Sequence, residues 1–103
     1  DYEITIVSSG YSPNLKAKEL WIKENLPYCK FIGVNLKEHK DKSHVDMRDG
    51  IFLDDSFSNL VTSNALVNVC FGDVYSWNEE WTGFRCANWI DVKKFLKGDD
   101  GNN

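Results

Sequence analysis

The stretch Glu3-Ile4-Thr5-Ile6-Val7-Ser8-Ser9-Gly10-Tyr11-Ser12-Pro13 decides the fold. Glu3 to Val7 is β-branched and nearly all apolar, the pattern of a strand buried on both faces in a parallel sheet. Ser8-Ser9-Gly10 breaks that pattern. Ser12 followed by Pro13 predicts a helix start, with a capping hydroxyl and then a proline at the first helical position. From Asn14 to Asn25, Leu15, Ala17, Leu20, Trp21 and Ile22 stand among lysines and glutamates, so the helix carries one apolar face. Asn25-Leu26-Pro27 ends it. Strand then helix is the opening of an α/β unit.

The same alternation runs on. Lys30 to Leu36 predicts a second strand. Lys37 to Asp49 is a polar loop holding His39 and His44. Ile51-Phe52-Leu53 predicts a short apolar strand that runs straight into Asp54-Asp55. Ser56 to Thr62 fits a short helix capped by Asp55 or Ser56. Ala65 to Phe71 is a further buried strand, and Gly72 to Cys86 is irregular and aromatic. Trp89, Val92, Phe95 and Leu96 recur three or four apart in a last helix, Trp89 to Lys97. This order predicts a three-layer α/β fold with a mostly parallel sheet. It reads as a single domain over 1–97 followed by a polar tail over 98–103 that frays.

Composition bounds the function. The chain has 103 residues, 42% hydrophobic and 14% aromatic, which is against wholesale disorder. Twelve basic residues against sixteen acidic ones, a net charge of −4, argue against a binder of nucleic-acid polymers that works by bulk charge. No apolar run is long enough to span a bilayer, and no basic start leads into an apolar stretch, so neither a membrane partner nor a signal peptide is expected. Cys29, Cys70 and Cys86 are an odd number with no Cys-x-x-Cys spacing. Reduced thiols in a cytoplasmic protein are the expectation, and the two histidines read as solvated loop residues rather than zinc ligands.

Polar groups at the carboxyl ends of parallel strands line the ligand crevice of such folds. Two clusters stand there. Ser8-Ser9-Gly10, between a strand and a helix N-terminus, suits an anion such as phosphate, although an ordinary strand-to-helix turn needs the same residues. Asp54-Asp55 is costly after a buried strand unless a cation such as Mg²⁺ meets it; a capped turn is the plainer alternative. Lys42, in His39-Lys40-Asp41-Lys42, would offset phosphate charge if its loop folds back over the strand ends and is otherwise part of a solvated charge run. Trp77 and Trp81, with Phe84 and Trp89, would stack a nucleobase or simply cover the edge of the sheet.

Together these features resemble the haloacid-dehalogenase-like phosphohydrolases, and within them the 5′(3′)-deoxyribonucleotidase family. The resemblance lies in Ile4-Thr5-Ile6-Val7-Ser8-Ser9 as the second motif, in Lys42 as the third and in Ile51-Phe52-Leu53-Asp54-Asp55 as the fourth. Asn88-Trp89-Ile90-Asp91-Val92 is similar to the family's last helix. The resemblance implies a Rossmann-like core and a Mg²⁺-dependent phosphomonoesterase that works through an aspartyl-phosphate on deoxyribonucleoside monophosphates. By position, Ser8 and Lys42 would be the catalytic residues, and Ser8, Ser9, Gly10 and Lys42 would hold the phosphate. Asp55 would bind the metal directly, with Asp54 in support, and Trp77 and Trp81 would shape the substrate pocket.

The first motif, Asp-x-Asp, occurs nowhere in these residues. The resemblance therefore implies the C-terminal part of such an enzyme, a core incomplete without its nucleophile-bearing strand, and negligible turnover by this chain alone. An open sheet edge would favour a complementing N-terminal segment or a second copy of the chain. The competing expectations are a non-catalytic binding or assembly module of the same fold and a phosphatase acting on another small phosphate ester.

Overall fold

A computed structural model of the chain describes residues 2–98. The predicted tail over 98–103 thus lies outside the described residues except for Gly98. The elements run β1 (Thr5–Gly10), α1 (Ser12–Asn25), β2 (Lys30–Asn35), β3 (Ile51–Asp54), α2 (Phe57–Thr62), β4 (Val67–Phe71), β5 (Phe84–Cys86) and α3 (Trp89–Leu96). All strand pairs are parallel, in a two-stranded sheet β1-β2 and a three-stranded sheet β3-β4-β5. The α/β class and the parallel pairing follow the sequence pattern. The chain divides into two compact units between Lys42 and Ser43.

In the first unit, β1 starts later and runs further than its apolar residues suggest. Ser8, Ser9 and Gly10 are strand residues, in register with Gly33, Val34 and Asn35. The expected turn is therefore extended backbone, because β2 offers partners to its end. The helix cap also moves: Tyr11 is the N-cap and makes no side-chain bond, with the proline at the start of the first turn. The Ser12 hydroxyl accepts instead from Asn35 Nδ2 at 3.2 Å. Helix α1 lies on the Gly33 face of the sheet, where a Cβ would stand 3.4 Å from both Leu15 methyl groups. Glycine lets that helix approach closely. Of the apolar residues on α1, Ile22 is buried, whereas Leu20 and Trp21 are exposed.

In the second unit, successive residues of β4 point to opposite faces, and each face has its own core. Cys70 packs with Phe52 and with Leu60 of α2. Val69 packs with Cys86 and with Val92 of α3. The helices α2 and α3 thus cover opposite faces of β3-β4-β5, a helix–sheet–helix sandwich. Helix α2 is capped by Ser56, whose hydroxyl accepts from Asn59 N at 3.3 Å, and α3 by Asn88, whose carboxamide oxygen accepts from Asp91 N at 2.9 Å. Strand β5 is missing from the sequence pattern, being three residues inside an irregular stretch. Trp89 is not on the buried face. It is 66% exposed and leans on Phe71 with ring centroids 4.7 Å apart, while Val92 one turn later fills the core.

Candidate functional site

Residues of the first unit gather at the carboxyl-terminal half of β1. The Ile4 and Gly10 carbonyls accept from Lys30 N and Leu36 N, at 2.9 and 3.0 Å. Carbonyls alternate in direction along a strand, so those of even-numbered residues face β2 and those of Val7 and Ser9 face the other edge. Two ammonium groups meet that other edge. Lys42 Nζ donates to the Val7 carbonyl at 2.9 Å, and Lys18 Nζ donates to the Ser9 carbonyl at 3.0 Å. Lys18 Nζ is also 3.0 Å from Ser8 Oγ.

Lys42 is therefore not a solvated member of a charge run. It is 7% exposed, and its loop folds back onto β1. Lys42, far in sequence from Ser8 and Ser9, thus reaches the strand that carries both serines. The arrangement places two ammonium groups along one edge of β1, with the Ser8 hydroxyl in contact with one of them, groups of a kind that suits the oxygens of an anion. Lys18 was not legible beforehand. A lysine on a helix among other lysines reads as solvent-facing, and its one signal was its place in the helix that follows the serines. Two concavities of this unit lie elsewhere, between α1 and β2. One is about 620 Å³ and borders Ile22, Pro27 and Phe31; the other is about 300 Å³ and borders Leu15, Phe31 and Gly33.

In the second unit the acid pair stands at the carboxyl end of β3, as expected, but its two members differ. Both oxygens of Asp54 serve the turn into α2: Oδ1 accepts from Ser56 N at 2.9 Å and Oδ2 from Asn59 Nδ2 at 3.3 Å. Asp55 is exposed, and its carboxylate accepts one hydrogen bond, from the indole N–H of Trp77 at 3.2 Å. Its backbone carbonyl accepts from Asn78 Nδ2 at 2.9 Å. Among the described residues, no three His, Cys, Asp or Glu side chains group as metal ligands. A Mg²⁺ ion that takes one carboxylate and fills its shell with water and phosphate oxygens fits the outward carboxylate of Asp55. Asp54 fits only a supporting place, because both its oxygens are engaged.

The two candidate pocket tryptophans have separate surroundings. Trp77 stacks on Tyr75, with ring centroids 4.4 Å apart and planes 14° from parallel. Trp81 packs against the Phe52–Leu60–Cys70 core, and its indole N–H donates to the Phe84 carbonyl at 2.9 Å. Arg85 holds this stretch in shape, donating to the carbonyls of Asn78 and Trp81 at 2.7 and 2.8 Å. Burial pushes the thiol of Cys70 up in pKa; nearby Arg85 opposes the shift, and Asp55 and Asp54 add to it. Cys70 is thus a packing residue rather than a nucleophile.

No helix among the described residues is long and apolar enough to cross a membrane. The chain matches no protein-family model, no curated protein and no solved structure.

Proposed function

We propose that these residues belong to a Mg²⁺-dependent phosphomonoesterase of the 5′(3′)-deoxyribonucleotidase type, acting on deoxyribonucleoside monophosphates. The observation that carries this reading is the return of the Lys42 ammonium to β1, 2.9 Å from the Val7 carbonyl and next in sequence to Ser8. A charge run with no role would leave that ammonium in water.

Each residue then has one task. The Ser8 hydroxyl, beside the Lys18 ammonium, donates to a phosphate oxygen, whereas Ser9 projects to the opposite face of β1 and Gly10 is strand backbone paired with β2. Lys42, joined by Lys18, offsets the charge on the transferring group. Asp55 holds the cation and Asp54 fixes the turn that presents Asp55. Bound Mg²⁺ would neutralise phosphate charge. The covalent nucleophile belongs to an Asp-x-Asp strand outside these 103 residues, since they contain none.

The test is phosphate release from dUMP or dTMP, with and without Mg²⁺, by the 103-residue chain and by the protein in which these residues stand together with an Asp-x-Asp strand. The expected result is negligible release by the first and metal-dependent release by the second, lost in Asp55→Ala. Absence of metal-dependent release from the second protein overturns the reading. A non-catalytic module is the alternative, favoured by the two hydrogen bonds that tie Asp54 to its own turn. It predicts that Asp55→Ala changes no activity.

A further inference from the structure

We propose that Lys18 is a positioning residue for the phosphate, turning the Ser8 hydroxyl so that its proton faces the anion. A serine hydroxyl rotates, with one proton to give and two lone pairs that accept. At Ser8 that freedom is removed. The Lys18 ammonium donates to Ser8 Oγ at 3.0 Å, so the oxygen is an acceptor on that side and its own proton points elsewhere. A hydroxyl that accepts from a cation is also a stronger donor in its turn.

The ammonium is anchored to the strand that it serves. It donates to the Ser9 carbonyl at 3.0 Å, which ties its position to β1. The nitrogen also lies over Gly10, where a Cβ would stand 3.6 Å from it and 3.5 Å from a Leu15 methyl group. Alternate residues of a strand share a face, so Ser8 lies with Gly10 on the face that α1 covers, and Lys18 reaches both from α1.

The charge is not cancelled by these contacts. Both acceptors, a hydroxyl and a carbonyl, are neutral. The positions one turn away on α1, Asn14, Leu15, Trp21 and Ile22, carry no acid that would pair with it. A lysine that only closed the border of β1 would need the carbonyl alone. The second bond, to a hydroxyl, is what a brace has no use for and an anion site does.

The inference rests on the phosphomonoesterase reading, and inorganic phosphate separates the two because it binds without turnover. Phosphate is titrated into the 103-residue chain at constant ionic strength while the amide shifts of Ser8, Ser9 and Gly10 are followed. The parent should saturate. Lys18→Met should bind about fivefold more weakly, and Lys18→Arg, which keeps the charge and the N–H donors, should retain most of the affinity. Lys16→Met removes an equal charge from an exposed position of the same helix and should bind as the parent does. With Ser8→Ala in place, Lys18→Met should weaken binding no further, because the ammonium acts through that hydroxyl. A mere brace would lower the urea midpoint of Lys18→Met and leave phosphate affinity alone. Far-ultraviolet circular dichroism reports the folding of each variant. The proposal is overturned by no saturable binding in the parent, by parent-like binding in Lys18→Met, by an equal loss in Lys16→Met, or by the same Lys18→Met loss with and without Ser8. Any of these together with metal-dependent phosphate release from the protein that includes an Asp-x-Asp strand would remove the role of Lys18 and leave the phosphomonoesterase reading standing.

Discussion

The Lys42 ammonium lies 2.9 Å from the Val7 carbonyl oxygen, across thirty-five residues of chain. A buried charged donor on a strand carbonyl is worth about 1.5–3 kcal/mol. Lys42→Ala should lower stability by about that amount, read as a lower urea midpoint. An unchanged midpoint would mean that the contact contributes nothing.

The two acids should separate in a stability experiment. Asp54→Ala removes the acceptor for Ser56 N and Asn59 Nδ2 and should cost about 1–3 kcal/mol. Asp55→Ala, at an exposed side chain, should stay within about 0.5 kcal/mol of the parent. Equal losses in the two variants would contradict the division of labour between them.

Gly83 is fixed by its neighbour. A Cβ there would stand 2.7 Å from the Trp81 ring, whose N–H is tied to Phe84. Gly83→Ala must push that ring out of place, at a cost of about 1–3 kcal/mol. Thermal unfolding checks it, and a melting temperature equal to the parent's would show that the ring yields freely. Trp89→Ala, at an exposed ring, should by contrast cost no more than about 1.5 kcal/mol through its contact with Phe71.

The buried thiols give a pH dependence. Burial raises Cys70 and Cys86 above 9.0, with Asp91 adding to the effect at Cys86. Above that pH the unfolded thiol releases its proton while the folded one keeps it, so the unfolded state binds fewer protons. The sign is a loss of stability as pH rises past 9.0, with none of this loss below it. Urea midpoints at about pH 8 and about pH 10 should differ in the parent, and the difference should shrink in Cys70→Ala. A slope indifferent to that substitution would assign it to other groups.

Asp46 gives the acid side. Its side-chain and backbone hydrogen bonds with Arg48 hold its carboxyl down to about 2. The folded state therefore favours the ionised form, and that preference is present above the ordinary 3.8 and is lost as pH falls through about 2. A carbon-detected titration of the Asp46 carboxyl should show its midpoint near there, and Arg48→Ala should move it up. A midpoint at 3.8 in the parent would dismiss the ion pair in solution.

The apolar runs made the fold class legible. Ile4–Val7, Phe31–Val34, Ile51–Leu53 and Ala65–Phe71 announce strands, Asp55 or Ser56 marks the start of α2, and the spacing of Trp89, Val92, Phe95 and Leu96 marks the last helix. What a partner decides was not legible. Ser8 to Gly10 are strand because β2 runs alongside them, and Phe84 to Cys86 are strand because β4 does. The acid pair could be read from its place after β3, but not which acid faces outward. Lys18 and the burial of Lys42 and Asn78 depend on contacts made across loops, and side-chain type alone is silent about those. The stacking of Tyr75 on Trp77 has the same origin, since a turn brings residues two apart face to face.

The lysines beside Val7 and Ser9 also affect how the molecule behaves in a crowd. Outward carbonyls on a strand border are what a growing fibre would copy, and here an ammonium sits on each of these two. A newcomer would have to strip both cations before it laid down its first rung. Seeding at these two carbonyls should therefore be slower than at a strand border that carries no cation.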